Sequence, residues 1–401
     1  MSAAVASPLF MIGVTGTNGK TSVTQWIAHA LTRLGRKCAL VGTLGNGFPE
    51  ALAPGPNTTP GAAVLQQLLP EFVRQGAQAC AMEVSSIGLH QDRVAGLVFD
   101  VAVFTNFTRD HLDYHGNMTA YAAEKRKLFE MPGLRTAVIN LDDPFGVELA
   151  AQLEGRVRTL GYTLADGQGG DRVLRAKNLA QTGTGATFEV DGVCFAAPVI
   201  GRFNVANLLA VIGVLIAGNE SLSAIAAVLQ DITPPPGRMQ TLGGMHEPLV
   251  VVDYAHSPDA LEKVLTTLHE TATVRGGKLI CVFGCGGDRD AGKRPVMGGI
   301  AERYADAVVL TSDNPRSENP QAIIAAIRSG MQGTPVIEVD RALAIGQVIR
   351  QADARDVILL AGKGHEPYQE IAGVRLRFSD IEVGKSALVG RQAVPQRQPS
   401  C

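Results

Sequence analysis

The sequence predicts an α/β protein: a P-loop-containing central domain with a mainly parallel sheet and a small antiparallel insertion, followed by a C-terminal Rossmann-like α/β domain. Three observations predict it. Short β-rich apolar runs alternate with helical patterns twice along the 401 residues, a glycine-rich turn joins the first apolar run to an amphipathic segment, and three consecutive prolines separate the two alternations. With 46% hydrophobic residues there is ample material for buried cores in two or three domains.

The apolar run Leu9-Phe10-Met11-Ile12 leads into Val14-Thr15-Gly16-Thr17-Asn18-Gly19-Lys20-Thr21-Ser22, and an amphipathic segment follows from Thr21 to Leu34. A strand-to-helix turn of this composition is a phosphate site. Its glycines let backbone N–H groups face an anion, the helix N-terminus adds partial positive charge, Lys20 adds a full one, and the Thr21 hydroxyl can hold Mg²⁺. The pattern G-x-x-x-x-G-K-[ST] is met except that Val14 occupies its first glycine position. Further strands are expected at Cys38–Gly42, Ala79–Val84, Val101–Thr105 and Thr136–Asn140. Residues 163–197 change character, with Gly-rich turns at Asp166–Asp171 and Gly183–Gly185 and alternating runs at Thr187–Val190 and Val193–Ala196, which reads as the antiparallel insertion. A helical pair, Asn204–Ala217 and Ser221–Gln230, precedes Thr233-Pro234-Pro235-Pro236-Gly237, where no helix can continue. Domains of 1–236 and 237–389 are expected on either side, with a Gln- and Pro-rich disordered tail at 390–401. The second alternation places strands near Leu249–Asp253, Lys278–Phe283, Ala307–Thr311 and Val357–Ala361, and polar motifs follow each. In open α/β sheets that edge binds ligands.

Charge and composition exclude several classes. Thirty-six basic and 38 acidic residues give a formal charge of −2, so no global basic field argues for nucleic acid or an anionic membrane. No apolar run reaches the ~18 residues of a membrane span and no signal-peptide pattern opens the chain, so a cytoplasmic protein is expected, as a monomer. Cys38, Cys80, Cys194, Cys281, Cys285 and Cys401 are scattered and read as buried thiols, with no second pair near Cys281 and Cys285 to suggest zinc.

Polar groups cluster after two of the first strands: Glu83-Val84-Ser85-Ser86, and Thr105-Asn106-Phe107-Thr108-Arg109-Asp110-His111-Leu112-Asp113. Near the phosphate loop, a carboxylate and an imidazole could ligate a hard divalent cation bridging ATP and a second substrate. Taken alone, Glu83 reads equally as a buried acid paired with Arg93, His111 as a helix cap, Lys125 as a solvated helix lysine, and Asp313-Asn314-Pro315-Arg316 as a turn with a surface arginine.

Together these motifs resemble one family. Gly16-Thr17-Asn18-Gly19-Lys20-Thr21, Asn57-Thr58-Thr59-Pro60, Glu83-Val84-Ser85-Ser86, Thr105-Asn106-Phe107 with Asp110-His111-Leu112-Asp113, Tyr121-Ala122-Ala123-Glu124-Lys125, Asn140-Leu141-Asp142-Asp143, Gly201-Arg202-Phe203-Asn204-Val205-Ala206-Asn207, Gly237-Arg238, Asp253-Tyr254-Ala255-His256 and Gly362-Lys363-Gly364-His365-Glu366 stand in the order seen in the MurE type of the Mur ligases. The resemblance runs from about residue 10 to 388.

It implies ATP-dependent ligation of an amino acid, meso-diaminopimelate, to the D-glutamate of UDP-MurNAc-L-Ala-D-Glu through an acyl phosphate, with Mg²⁺, two ions by expectation. It implies that Gly16, Thr17, Asn18, Gly19, Lys20, Thr21 and Ser22 hold ATP phosphates. Asn204 and Asn207 would meet adenine, Arg238 a phosphate and Asp253 the ribose, with His256 nearby. Thr21, Glu83, His111 and Lys125 would form the metal site, Lys125 as a CO₂-derived carbamate (N6-carboxylysine), because an unmodified ammonium would repel the metal. Asn57, Thr58, Thr59, Ser85, Arg93 and Lys125 would contact the muramoyl-dipeptide. Asp313, Asn314 and Arg316, with Arg289, Gly362 and Glu366, would take diaminopimelate, Arg316 gripping its distal carboxylate and Glu366 its ammonium. Family members carry an N-terminal uridine-binding domain ahead of the ATP-binding strand, and nine residues precede that strand here, so either a truncated sequence or a lost domain is expected. The alternatives are a related Mur or folylpolyglutamate-type ligase for another amino acid, against which Arg289, Arg316 and Glu366 argue, and an ATP-binding module without activity, against which Glu83, His111 and Lys125 argue.

Overall fold

The computed structural model describes residues 9–181, 185–244 and 246–392. Its contacts divide the chain into two compact units, Met1–Thr233 and Pro234–Cys401. Among the described residues of the first unit, nine strands form one sheet: β1 Phe10–Thr15, β2 Cys38–Gly42, β3 Gly45–Phe48, β4 Ala51–Ala53, β5 Ala79–Glu83, β6 Val101–Phe104, β7 Thr136–Asn140, β8 Arg158–Thr163 and β9 Arg172–Arg175. Their order is β4-β3-β2-β5-β1-β6-β7-β8-β9. From β2 to β9 every pairing is parallel.

A parallel sheet needs helices on both faces, and side-chain alternation shows both being covered. Ile12, Val14, Val101 and Val103 pack into one core with helices Lys20–Arg33 and Arg202–Ala217, while Met11, Ala102 and Phe104 pack into another with helices Ala62–Arg74 and Pro144–Leu153. Helix Arg202–Ala217 is buried almost all round, so its two early asparagines, Asn204 and Asn207, are carried into the interior with it.

The insertion departs from the expected 163–197. Strand β9 pairs in parallel with β8 and belongs to the main sheet; only β10 Lys177–Gln181, β11 Ala186–Val190 and β12 Val193–Ala197 form the antiparallel sheet. The connection from Thr163 to Arg172 holds no helix. It is short for a parallel return, and Gly169 and Gly170, at φ +138° and +76°, give it the necessary freedom. Two residues of the expected Gly183–Gly185 turn lie outside the described residues. The hairpin β3–β4 has no run of apolar residues to announce it, and Gly45 and Gly47 leave room for the backbone of Ala51–Ala53. Cys38, Cys80, Cys281 and Cys285 are buried as expected, but Cys194 is exposed, because β12 alternates and Phe195 takes the inward position. Cys401 lies outside the described residues.

In the second unit the sheet order is β13-β14-β18-β15-β16-β17, with β13 Gln240–Gly243, β14 Leu249–Asp253, β15 Leu279–Phe283, β16 Ala307–Leu310, β17 Val336–Ile337 and β18 Val357–Ala361. All but the edge strand β13 are parallel, so β14, β18, β15 and β16 end along one edge. A small hairpin, β19 Tyr368–Ile371 and β20 Val374–Arg377, follows β18. The last helix, Asp380–Gln392, runs through Gly390–Gln392, residues expected in the disordered tail; 393–401 lie outside the described residues. Among the described residues no helix is long and apolar enough to cross a membrane.

Tyr162 tests the first unit's core. Its buried hydroxyl donates to the Phe104 carbonyl at 3.0 Å across the sheet. Tyr162→Phe should cost about 1–2 kcal/mol, read as a lower urea midpoint of the first unit with an unchanged slope.

Candidate active site

The glycine-rich turn leaves β1 and enters helix Lys20–Arg33 as the sequence requires, and a second loop locks it in place. The Thr17 amide donates to the Asn106 carbonyl at 2.8 Å, the Asn18 amide to Asn106 Oδ1 at 2.9 Å, and Thr105 Oγ1 to the Asn18 carbonyl at 2.6 Å. Gly16 sits at φ +148°, where an added Cβ would lie 1.9 Å from Thr105 Oγ1, so only glycine fits beneath that strap. Gly19, at φ +87°, passes equally close to Asn207: a Cβ would meet its Oδ1 at 2.5 Å. That contact brings Asn207, and through its 3.3 Å bond Asn204, against the loop.

Two lysines converge here. Lys20 Nζ donates to the carbonyls of Gly16 at 2.8 Å and Thr17 at 2.9 Å, and Lys125 Nζ donates to the same Gly16 carbonyl at 2.8 Å. Lys125 is not solvated; it is 1% exposed and lies 4.4 Å from the Tyr121 ring centroid. Burial, and secondarily the charge of Lys20, push its pKa well below the ordinary lysine value. Tyr121 fastens the same corner, its hydroxyl 3.1 Å from Thr17 Oγ1.

Glu83, at the end of β5, is buried next to the loop. Its carboxylate accepts from Thr21 Oγ1 at 3.0 Å, the Thr43 amide at 2.9 Å and Thr43 Oγ1 at 3.2 Å. The pairing with Arg93 that Glu83 alone allowed is not made; Arg93 instead donates to the Thr59 carbonyl at 2.7 Å. Thr58 is 3.0 Å from Thr43 Oγ1, and Thr59 Oγ1 donates to the Glu83 carbonyl and to Ser85 Oγ. The structure thus gathers Thr58, Thr59, Ser85 and Arg93 beside Glu83, while Asn57 is exposed and joins no bond in this network. His111 occupies the N-cap position of helix Leu112–His115 at φ +52° without a side-chain capping bond. Its pKa is lowered, first by desolvation and then by the charges of Lys20 and Lys125, with Asp110 opposing.

Among the described residues no group of three or more His, Cys, Asp and Glu could hold a metal. What lies near the loop is the Glu83 carboxylate, the Thr21 hydroxyl and the His111 imidazole. A carboxylate and a hydroxyl held by fixed donors, with an imidazole beside them, fit a hard cation such as Mg²⁺, and Asp110, 3.5 Å from His111 Nε2, adds a second negative charge nearby.

In the second unit, the edge after β14, β18, β15 and β16 holds the rest. Asp253 is buried and accepts from the amides of Met239 and Ala255, each at 2.8 Å. Desolvation raises its pKa, against the charge of Arg238 and those two N–H groups. The Arg238 guanidinium lies 4.4 Å from the Tyr254 ring centroid, and His256 Nδ1 is 2.8 Å from the Tyr254 carbonyl. Glu366 is drawn to the loop after β16: its Oε2 accepts from Asn314 Nδ2 at 2.7 Å and from the fully buried Lys363 at 3.0 Å. Gly362 crosses that loop at φ +110°, where a Cβ would lie 2.7 Å from Asp313 Oδ2. Arg316 is half-buried and donates to the Gly287 carbonyl at 2.7 Å, and Arg289 is exposed on the neighbouring loop.

A model of the Mur ligase middle domain matches residues 14–215, and one of the Mur ligase glutamate ligase domain matches residues 237–364. The chain belongs to the Mur ligase family. Members are ATP-dependent ligases that use Mg²⁺. A Chromobacterium violaceum protein named UDP-N-acetylmuramoyl-L-alanyl-D-glutamate--2,6-diaminopimelate ligase is 53% identical over 386 residues, covering 95% of this chain and 77% of that protein. The Pseudomonas aeruginosa protein of the same name is 52% identical, covering 95% and 78%. A solved structure of a ligase of that name superimposes with a TM-score of 0.71 at 40% identity, over 97% of this chain and 80% of that one. A Mycobacterium tuberculosis folylpolyglutamate synthase solved with ADP and AMPPCP shares the fold, with a TM-score of 0.71 at 20% identity.

Several residues at these two sheet edges carry no sequence signal of their own. Thr43, which supplies two of the bonds to Glu83, follows a strand with no motif, and Lys363 and Tyr254 lie inside motifs whose pattern does not single them out. His365 is a titratable group of the second unit that folding changes strongly within the ordinary pH range. Burial, then the charge of Arg238, lower its pKa from 6.5 to about 4. A base with a depressed folded pKa contributes stability above about pH 6.5 that is lost as pH falls toward 4, where the unfolded chain takes up the proton first. Stability should drop by up to roughly 3 kcal/mol across that window, and His365→Asn should flatten this part of the profile in urea titrations at several pH values.

Proposed function

We propose that this chain is a cytoplasmic, monomeric ligase that joins meso-diaminopimelate to the D-glutamate of UDP-MurNAc-L-Ala-D-Glu at the expense of ATP, in peptidoglycan precursor synthesis. The observation that carries this reading is the pairing of the loop with Glu83 and Lys125 in one unit and the Asn314, Arg316 and Glu366 cluster in the other, within a chain about half identical to ligases of that name.

In this reading the amides of Gly16 to Ser22 and Lys20 bind the ATP phosphates, Asn204 and Asn207 the adenine, Asp253 the ribose and Arg238 a phosphate, with His256 alongside. Thr58, Thr59, Ser85, Arg93 and, more peripherally, Asn57 hold the acceptor peptide. Mg²⁺, held by Thr21, Glu83, His111 and a carbamate on Lys125, neutralises phosphate charge when bound. The carbamate forms when Lys125 Nζ, having lost its ammonium proton, adds to CO₂ and releases a second proton, so that the two proton losses together would replace a cation by an anion near Glu83. Burial of Lys125 supports this, since a buried amine with a lowered pKa is the nucleophilic form.

The D-glutamate γ-carboxylate attacks the γ-phosphorus of ATP, ADP leaves, and an acyl phosphate results. The amine of diaminopimelate then attacks the acyl carbon; inorganic phosphate leaves with the bonding electron pair and the amine gives up a proton. Lys20 and the loop amides offset charge as it develops on the phosphoryl oxygens. Arg316 takes the distal carboxylate of diaminopimelate with Arg289 beside it, and Asp313, Asn314, Gly362 and Glu366 take its ammonium.

Phosphate release should require ATP, Mg²⁺, the UDP-MurNAc-dipeptide and diaminopimelate together, and release that is equal without diaminopimelate would overturn the assignment. Arg316→Ala should raise the KM for diaminopimelate on the order of 10- to 100-fold while leaving that for ATP near its original value.

A further inference from the structure

The two loops assigned to diaminopimelate leave strands that do not touch: β16 and β18 are both paired to β15, which lies between them. The ladder therefore fixes each loop's root to β15 but does not join the two roots. Further along, the loops bond to each other directly, Lys363 Nζ to Asn314 Oδ1 at 3.0 Å, Gln369 Nε2 to the Asp313 carbonyl at 2.7 Å and the Arg316 amide to the Glu370 carbonyl at 3.0 Å; at the roots a buried arginine makes the link. Arg341 Nη2 donates to the carbonyl of Ala361, the last residue of β18, at 2.9 Å, and Nη1 reaches the carbonyl of Ser312, just beyond β16, at 3.4 Å. The same guanidinium is gripped by Asp380, Nε to Oδ1 and Nη2 to Oδ2, each at 2.7 Å. Both side chains have 0% exposure. Ala361 precedes Gly362 and Ser312 precedes Asp313, so each bond ends one residue before a proposed diaminopimelate contact.

Stability does not account for this arrangement. Desolvating two ions costs about as much as their attraction returns, and well-packed apolar replacements of buried pairs are often neutral or stabilising. A rigid planar fork bonded at once to a carboxylate and to carbonyls of two separated strands does supply a fixed distance. The loops approach closely: Asp313 Oδ2 would lie only 2.7 Å from a Cβ on Gly362, and Asn314 Nδ2 donates to Glu366 Oε2 at 2.7 Å.

We infer that Arg341, held by Asp380, is a positioning residue that sets the spacing of the Asp313–Arg316 and Gly362–Glu366 loops and thereby selects the long, two-headed amino acid over a shorter one. This rests on the proposed function. It adds that specificity depends on a pair that touches no substrate.

The test is calorimetric binding of meso-diaminopimelate, L-lysine and an ATP analogue with Mg²⁺ to the whole chain, comparing wild type with Arg341→Met/Asp380→Leu and Arg341→Lys. Ser379 still caps the last helix in the double variant, its Oγ accepting from Glu382 and its carbonyl from Val383, so folding should survive. Diaminopimelate should bind at least about tenfold more weakly to the double variant, its preference over lysine should shrink, and the nucleotide should bind within about twofold of wild type. Arg341→Lys, which keeps the charge but cannot span both carbonyls, should lie between. Unchanged diaminopimelate binding, or parallel weakening of diaminopimelate and nucleotide, would overturn the inference; should the double variant not fold, Arg341→Lys decides on the same criteria. Wild type that binds no diaminopimelate would instead overturn the proposed function itself, and this inference with it.

Discussion

The carbonyl oxygen of Gly16 accepts from two lysine Nζ atoms at once, and the phosphate loop is organised around that crowding. Two ammonium charges sharing one acceptor would repel strongly where water is scarce, which is why the buried Lys125 is pushed toward its uncharged form. They are kept together by what surrounds them. Thr105 and Asn106 hold the loop from one side, Tyr121 holds Thr17 from another, and helix Arg202–Ala217 brings Asn207 against Gly19. An anionic phosphate is the natural counterpart of such a cradle, and the pKa of Lys125 is lowered first by its burial and then by the charge of Lys20.

Glu83 is the opposite pole. Its carboxylate accepts three bonds from Thr21 and Thr43, and its backbone carbonyl accepts from Thr59, so one residue at the end of β5 ties the phosphate loop to the Thr58, Thr59 and Ser85 cluster. The parallel sheet makes this possible. Strands β1, β5 and β6 are adjacent and end together, which places residues from distant parts of the sequence on one edge without any being close in the chain. The second unit uses the same edge, after β14, β18, β15 and β16.

Most of this was legible because the chemistry announces itself locally. A glycine-rich turn between an apolar run and an amphipathic helix has few other uses, and the strands are short, continuous apolar runs because both faces are covered. What could not be read was whatever depends on partners far apart in sequence. Lys125 in a basic run looks like a surface residue until the fold buries it beside Gly16. Glu83 and Arg93 are plausible partners by charge, yet the register gives Glu83 to Thr21 and Thr43. Strand β9 was hidden in a glycine-rich stretch, and Arg341 and Asp380 lie 39 residues apart with no motif to join them.

A carbamate on Lys125 would make this residue an anion in the working protein. Equilibrating the chain with ¹³C-labelled bicarbonate and recording its ¹³C spectrum reads this directly. A carbamate resonance that disappears on acidification and is absent from Lys125→Ala is the predicted result. A wild-type spectrum with no such resonance at neutral or alkaline pH, or one that Lys125→Ala retains, would contradict it.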